Sequence, residues 1–379
     1  MVREAIRRLD LPPFDPLNRR AAELRAAGHT VISLGQAVPY FGPPPAALAA
    51  ARSAIDSPDV HRYATDPGVP TLRAALGERL GVAPEELIIT AGANHAFTLA
   101  LTTLVDPGDE VILHAPYFTN HQMAVAALGA IPVEAPLADR TTFSVKWEDL
   151  APHVTARTRA IVLCNPSNPT GAPIDAAQGA RIVAEAAARG LAVISDETYM
   201  HFVYDGAHWS AASEPRWRDH VVVIGTFSKS FGMMGWRVGF LMAGGGVCAE
   251  AVKVQDEMII CAPVISQRMA EAAVRESWEY PQSFHDELRA RRRVLADGLA
   301  AAPGVEWTAT GGGLFAFVRV DGCADSVELA TELLERAHVV TIPGAAFGRS
   351  GEGFLRLSYG YASVPELEEA VRRLRGVLR

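Results

Sequence analysis

Between Asp219 and Glu250 the chain carries two charged side chains, Lys229 and Arg237, eight residues apart in the apolar, glycine-rich stretch "TFSKSFGMMGWRVGF". The β-branched run "VVVIG" before them reads as a buried strand, so Lys229 falls just past its carboxyl end. Open α/β sheets bind their ligands at that edge. An amine beside apolar residues loses hydration of its ammonium form, its pKa falls, and it becomes a nucleophile fit for a Schiff base. Arg237 is then available to pair with a phosphate through charge-assisted bonds.

Three more segments end predicted strands: "TAGANHA" from Thr90, "NPSNPTG" from Asn165 and "SDETY" from Ser195. Right-handed βα units place such ends on one side of a parallel sheet, so the four segments should share a cleft. Each also has a plainer reading. The backbone N–H groups of Gly92, Ala93 and Asn94 suit an anion at a helix N-terminus, but the segment could be an ordinary turn. "NPSNPTG" is rich in turn formers, although an asparagine there can hold a ligand hydroxyl or phenolate. Asp196 and Glu197 could simply cap the next helix. Taken together with Lys229, these groups describe a ligand with a carbonyl, a phosphate and a basic ring nitrogen, and pyridoxal phosphate has all three.

The elements that must position these groups follow from periodicity. From about residue 70 to 275 strand and helix patterns alternate: "PTLRAALGERLG" is helical, "LIIT" a strand, "HAFTLALTTLV" helical, and "EVILH", "RAIVLCNP", "LAVISDE", "VVVIG" and "VGFLMA" are compact apolar runs. Repeated βα units predict an α/β fold, a mostly parallel central sheet with helices on both faces. Beyond residue 278 a long amphipathic stretch precedes the strands "GLFAFVRV" and "GFLRLSY" and two further helices, which predicts a smaller α+β domain. The proline-rich beginning, with "LPPFDPL" and "VPYFGPPP", reads as an extended arm or loop. The expected organisation is an N-terminal arm and active-site segment over 1–45, a large cofactor-binding domain over 46–277 and a small domain over 278–379.

The chain's 379 residues include 35 Lys plus Arg and 43 Asp plus Glu, a formal net charge of −8, which argues against nucleic acid as a partner. The run "RARRR" from Arg289 reads as the solvated face of a helix. Cys164, Cys248, Cys261 and Cys323 are widely spaced in apolar surroundings, which suits reduced thiols, no metal site and a cytoplasmic location. The N-terminus places charge where a signal peptide needs an apolar core, and no apolar segment is long enough to span a bilayer. A soluble, unprocessed chain is the expectation.

With "SKSFGMMGWRVG", "NPSNPTG" and "SDETY" in this order, the chain resembles the class I/II, aspartate-aminotransferase-like family of fold-type-I pyridoxal-phosphate enzymes over nearly its full length. The resemblance implies that Lys229 holds the cofactor covalently and acts as general base, and that Asp196 bonds the pyridine nitrogen. Asn168 and Tyr199 would bond the phenolic oxygen, and Phe118 in "APYF" would stack on the ring, with Tyr117 as its neighbour. Gly92, Ala93, Asn94, Thr226 and Arg237, with Ser228 as an additional contact, would form the phosphate cup. Tyr63 would reach the phosphate of a second subunit, making the site a property of a homodimer. Arg356 in "FLRLSYG" would grip the substrate α-carboxylate, with Asn168, Gly35 and Tyr40 as further substrate contacts.

The implied reaction is ping-pong transfer of an amino group from an L-amino acid to a 2-oxo acid through pyridoxamine phosphate. A carbon–sulfur β-lyase is the alternative on the same scaffold; a ligand sensor in a transcription regulator would need a DNA-binding module, and none fits before residue 30. Glu257, with Asp256, is a candidate receptor for a cationic substrate side chain, against the preferred reading of an exposed helix residue.

Overall fold

The computed structural model describes residues 1–378 except 8 and 10. Its central sheet has seven strands in the order Leu87–Thr90, Gly239–Ala243, Val221–Thr226, Ala192–Asp196, Thr158–Cys164, Glu110–Ala115 and Ile131–Pro136. Every pairing is parallel except those of Gly239–Ala243, which runs against both neighbours. Six of the seven strands are buried almost throughout, as expected of strands covered by helices on both faces, while the edge strand Ile131–Pro136 is half-exposed. Helices Pro70–Leu80, Ala93–Leu104 and Ala176–Ala187 occupy the stretches where helical spacing was read.

The reversed strand matters for function. Gly239 pairs with both Thr226 and Thr90, so the amino end of this strand lies among the carboxyl ends of its neighbours. Arg237, two residues before it, is thereby delivered to the same edge as Lys229.

A second, antiparallel sheet of four strands, in the order Ile342–Pro343, Phe354–Ser358, Phe315–Val320 and Val305–Glu306, packs with helices His285–Ala300, Ser326–Ala337 and Val364–Arg375. Two expectations need correction here. "LPPFDPL" does not form an extended arm: Pro13 and Pro16 lie at the start of helix Phe14–Ala26, where a missing N–H costs nothing. Leu17, Ala21 and Leu24, at helical spacing, join the core of this second unit, and Ile32–Ser33 pairs with Val339–Val340. The "RARRR" run is not a solvated face either. Arg291 is buried and donates to the carbonyls of Gly360 and Tyr361, while Arg289 and Arg292 bond the Tyr204 and Thr310 carbonyls. Arginine stems and forked donors thus join helix His285–Ala300 to its surroundings.

Candidate active site

A cavity of about 460 Å³ opens where the carboxyl ends of the central strands face the second unit. Lys229 lies on the short helix Phe227–Ser230 that follows strand Val221–Thr226. Thr226 shapes this turn: its hydroxyl accepts from the Ser228 N–H at 3.1 Å and donates to the Val238 carbonyl at 3.1 Å. Burial lowers the Lys229 ammonium pKa to about 8, and the positive charges of Arg356 and Arg237 push the same way. The amine therefore loses its proton around pH 8, where an ordinary lysine is still fully charged.

Arg237 has a left-handed φ of 49° and donates from Nη1 to the Met234 carbonyl at 2.7 Å. Gly92 stands opposite it with φ +85°, capping helix Ala93–Leu104. A Cβ on Gly92 would lie 2.5 Å from Arg237 Nη2, so only glycine permits this approach of a guanidinium to the free amides of a helix N-terminus. Ala93, Asn94, Thr226 and Ser228 line the cavity beside them. Guanidinium, amides and hydroxyls form a polar, positive cup.

Asp196 ends strand Ala192–Asp196 and is buried. Its Oδ1 accepts from the Thr198 N–H at 3.0 Å and its Oδ2 lies 2.9 Å from His121 Nε2. Burial alone would raise this carboxyl's pKa, but the bond and charge of His121 and the bonds from Thr198 hold it below the usual value. An ionised carboxylate faces the cavity. Phe118 lines the cavity as well, and its ring meets His121 edge-on with centroids 5.3 Å apart. Tyr117 lies elsewhere, against Gly348. Glu197, by contrast, is turned away into the fold, accepting from Ser195, Ser210 and the Ala211 N–H.

Arg356 comes from the antiparallel sheet and is buried between the Phe315 and Phe347 rings, 5.3 and 5.0 Å from their centroids. It donates from Nη1 to Asn168 Oδ1 at 2.8 Å and from Nη2 to the Gly35 carbonyl at 2.6 Å. Its Nε is buried without a partner, and burial lowers its pKa to about 10. An unsatisfied donor on a buried cation is a receptor for an anion. Tyr199 packs edge-on against Phe315 and lines the cavity, its phenol pKa raised by burial.

The structure thus gathers Lys229, Asp196, Tyr199, Asn168, Phe118, Ala93, Asn94, Thr226, Ser228, Arg237, Arg356 and Gly35 around one cavity, with Gly92 immediately behind Arg237. Three residues singled out in the sequence lie outside this chain's own cavity. Tyr40 does not reach the cavity, because its ring is held under the Arg291 guanidinium, 3.8 Å away, and against Phe41 and Phe284. Tyr63 is 76% exposed and contributes nothing to the cavity of its own chain. Glu257 is exposed on helix Gly245–Ile259 and does not line the cavity.

Sequence reasoning missed His121, Thr198 and Cys164, and also Phe14, Asp15 and Asn18 from the N-terminal helix. His121 lies three residues after Phe118 at a helix start, a usable spacing signal. Nothing local announces Phe14, Asp15 or Asn18.

The family model described as aminotransferase class I and II matches residues 29–374. The aspartate aminotransferase of Pyrococcus abyssi is 33% identical over 372 residues, 95% of each chain. The aromatic-amino-acid aminotransferase 2 of Thermococcus litoralis is 32% identical over 372 residues, again 95% of each. A solved single mutant of Thermus thermophilus aspartate aminotransferase superposes with a TM-score of 0.94 at 29% identity, covering 100% of both chains.

Proposed function

This chain belongs to the class I and II aminotransferases, and from that premise we propose how its own residues divide the work. It is a pyridoxal-phosphate enzyme that moves an amino group from an amino acid to a 2-oxo acid. The relatives matched above carry aminotransferase names, which leaves the carbon–sulfur lyase alternative without support. The observation that carries the assignment of roles is the convergence of a depressed lysine, a guanidinium–amide cup, an ionised aspartate and a half-satisfied buried arginine in one cavity.

The donor set fits pyridoxal phosphate. Arg237, the amides after Gly92, Thr226 and Ser228 suit the phosphate, in a cup that a Cβ on Gly92 would fill. Bound there, the cofactor supplies the carbonyl that takes up the amino group and a ring that accepts the electron pair left at the substrate Cα. Asp196, kept ionised by His121 and Thr198, holds a proton on the ring nitrogen. Asn168 accepts from Arg356 through Oδ1, which leaves its side-chain N–H groups as the donors that, with the Tyr199 hydroxyl, would hold the phenolic oxygen. Phe118, which lines the same cavity, would cover the ring face.

Arg356 binds the α-carboxylate, using the unpaired Nε together with an adjacent N–H, and so fixes the Cα–H bond relative to Lys229. Lys229 Nζ, poised by its lowered pKa, would take the Cα proton and carry it as the general acid–base of the transfer. Residues 35–38 and the first turns of helix Phe14–Ala26 line the remaining side of the cavity.

The exposure of Tyr63 supports a homodimer in which each subunit lends this phenol to the other's phosphate. The division into an arm over 1–45, a large domain over 46–277 and a small one over 278–379 remains the proposed organisation, with residues 14–41 packed on the small unit. Four free cysteines, and no helix long and apolar enough to cross a membrane among the described residues, suit a cytoplasmic enzyme.

The test is a visible absorption titration of purified protein with a panel of amino acids and no oxo acid. Donors should convert the cofactor to its amine form, and added 2-oxo acid should reverse the change. Ammonia and pyruvate released without any acceptor would overturn transamination in favour of elimination.

A further inference from the structure

The chemistry above leaves part of the cavity wall unused. Phe14, Asp15 and Asn18 enter it from the first turns of helix Phe14–Ala26, and Gln36, Ala37 and Val38 from the loop that follows. Helix phase places residues 17, 21 and 24 on the core face, with 14 and 18 on its flank and 15 farther round toward solvent. The helix is further tied down by Arg20, which donates to both carboxylate oxygens of Glu335 at 2.5 and 2.9 Å. Asp15 is thus an exposed carboxylate on an anchored backbone, not a group on a loose arm. It also complements the positive end of its own helix.

Charge is what this wall decides. Among the described residues lining the cavity, the charged side chains are Lys229, Arg237, Arg356, Asp196 and Asp15. The first four are taken by the amine, the phosphate, the α-carboxylate and the ring nitrogen. Asp15 is the charge left to face whatever the substrate carries beyond Cβ. Its neighbours Asn18 and Gln36 are neutral amides able to bond a polar group without opposing that charge.

We propose, resting on the aminotransferase reading, that Asp15 with Asn18 and Gln36 forms the side-chain subsite, and that it favours amino donors with a cationic side chain. A guanidinium or ammonium group meets an opposite charge there, and a second carboxylate meets a like one. Within the cavity of this chain the acid placed for this purpose is Asp15; Glu257 is exposed on helix Gly245–Ile259 and does not line it. The pair remains in contact with solvent, so the selectivity is moderate.

The experiment compares kcat/KM for L-arginine, L-leucine and L-aspartate in the wild-type holoenzyme, in Asp15→Asn and in Asp15→Lys. L-leucine serves as internal reference, so that general damage cancels in the ratios. The expected result is a wild-type preference for arginine over aspartate and an arginine-to-leucine ratio about fivefold lower in Asp15→Asn. The aspartate-to-leucine ratio should rise in Asp15→Lys. A wild-type preference for aspartate, or ratios unchanged in both variants while transfer proceeds, overturns the subsite and leaves the aminotransferase reading standing. Absence of amino transfer with all three donors overturns that reading and the subsite with it.

Discussion

The two ends of the cavity are built by different means. At the sheet end, Asp196, Thr226 and Lys229 sit on or directly after paired strands, and Asp196, Asn168 and Arg356 are buried with at least one bond each inside the fold. At the N-terminal end, Asp15 and Asn18 are exposed and stand on a helix held only from behind. The first end resembles a core with a few polar atoms left unpaired, the second a surface folded over an opening. Groups that must meet reacting atoms within a fraction of an ångström need the first kind of support, whereas groups that choose between side chains tolerate the second.

The sharpest way to break this contrast is at Lys229. Lys229→Ala should lower kcat by at least about 10⁴-fold, read in a steady-state assay, because both a covalent anchor and a proton carrier are lost. A modest loss would show that another group moves the proton.

Next in size is Gly92→Ala, where the added Cβ meets Arg237 Nη2 and the residue must keep φ +85°. Cofactor affinity should fall about tenfold or more in an equilibrium titration, the scale of strain at a left-handed position. An unchanged affinity would mean that the cup adjusts as freely as a surface loop.

A pH experiment sharpens the same point. In cofactor-free protein, the rate at which an amine-selective reagent acylates Lys229 should be half-maximal near pH 8 and rise above that value as the ammonium loses its proton. Arg356→Gln removes one of the repelling positive charges and should shift the midpoint upward. The linked effect on stability has a definite sign. Between about pH 8 and the ordinary lysine value of 10.5 the unfolded chain holds the proton and the native one does not, so this group makes stability rise with pH across that window. A midpoint at the ordinary value would deny that the amine is desolvated.

The smallest effect is expected at Glu257. Glu257→Gln should change donor ratios by less than about twofold, the range of a surface substitution away from any site. A larger change would return the cationic-substrate role to this helix and take it from Asp15.

Much of the sheet end was legible because strand, turn and helix signals are local. "VVVIG" before Lys229 and "LAVISDE" around Asp196 announce strands through β-branched runs, and parallel βα units oblige their carboxyl ends to agree. What escaped was every pairing across long separations. His121 and Asp196 are 75 residues apart, and Arg356 and Asn168 are 188 apart. The N-terminal helix was misread because its prolines signal interruption unless one knows that they occupy its first turn. Tyr40 was misplaced because an aromatic near a glycine-rich loop gives no sign that an arginine some 250 residues later will cover its ring.

By itself the sequence determined the reactive groups, the alternation of strands and helices, and hence the edge at which Lys229, Asp196 and Asn168 emerge. These follow from backbone propensity and periodicity, which act over a few residues. The tertiary structure alone decided that the Gly239–Ala243 strand runs backward to bring Arg237 to the site, that His121 keeps Asp196 ionised, and that Asp15 lines the cavity while Tyr40 does not. Those outcomes depend on burial and contact between distant segments, and the free energy of a charge is set by what surrounds it.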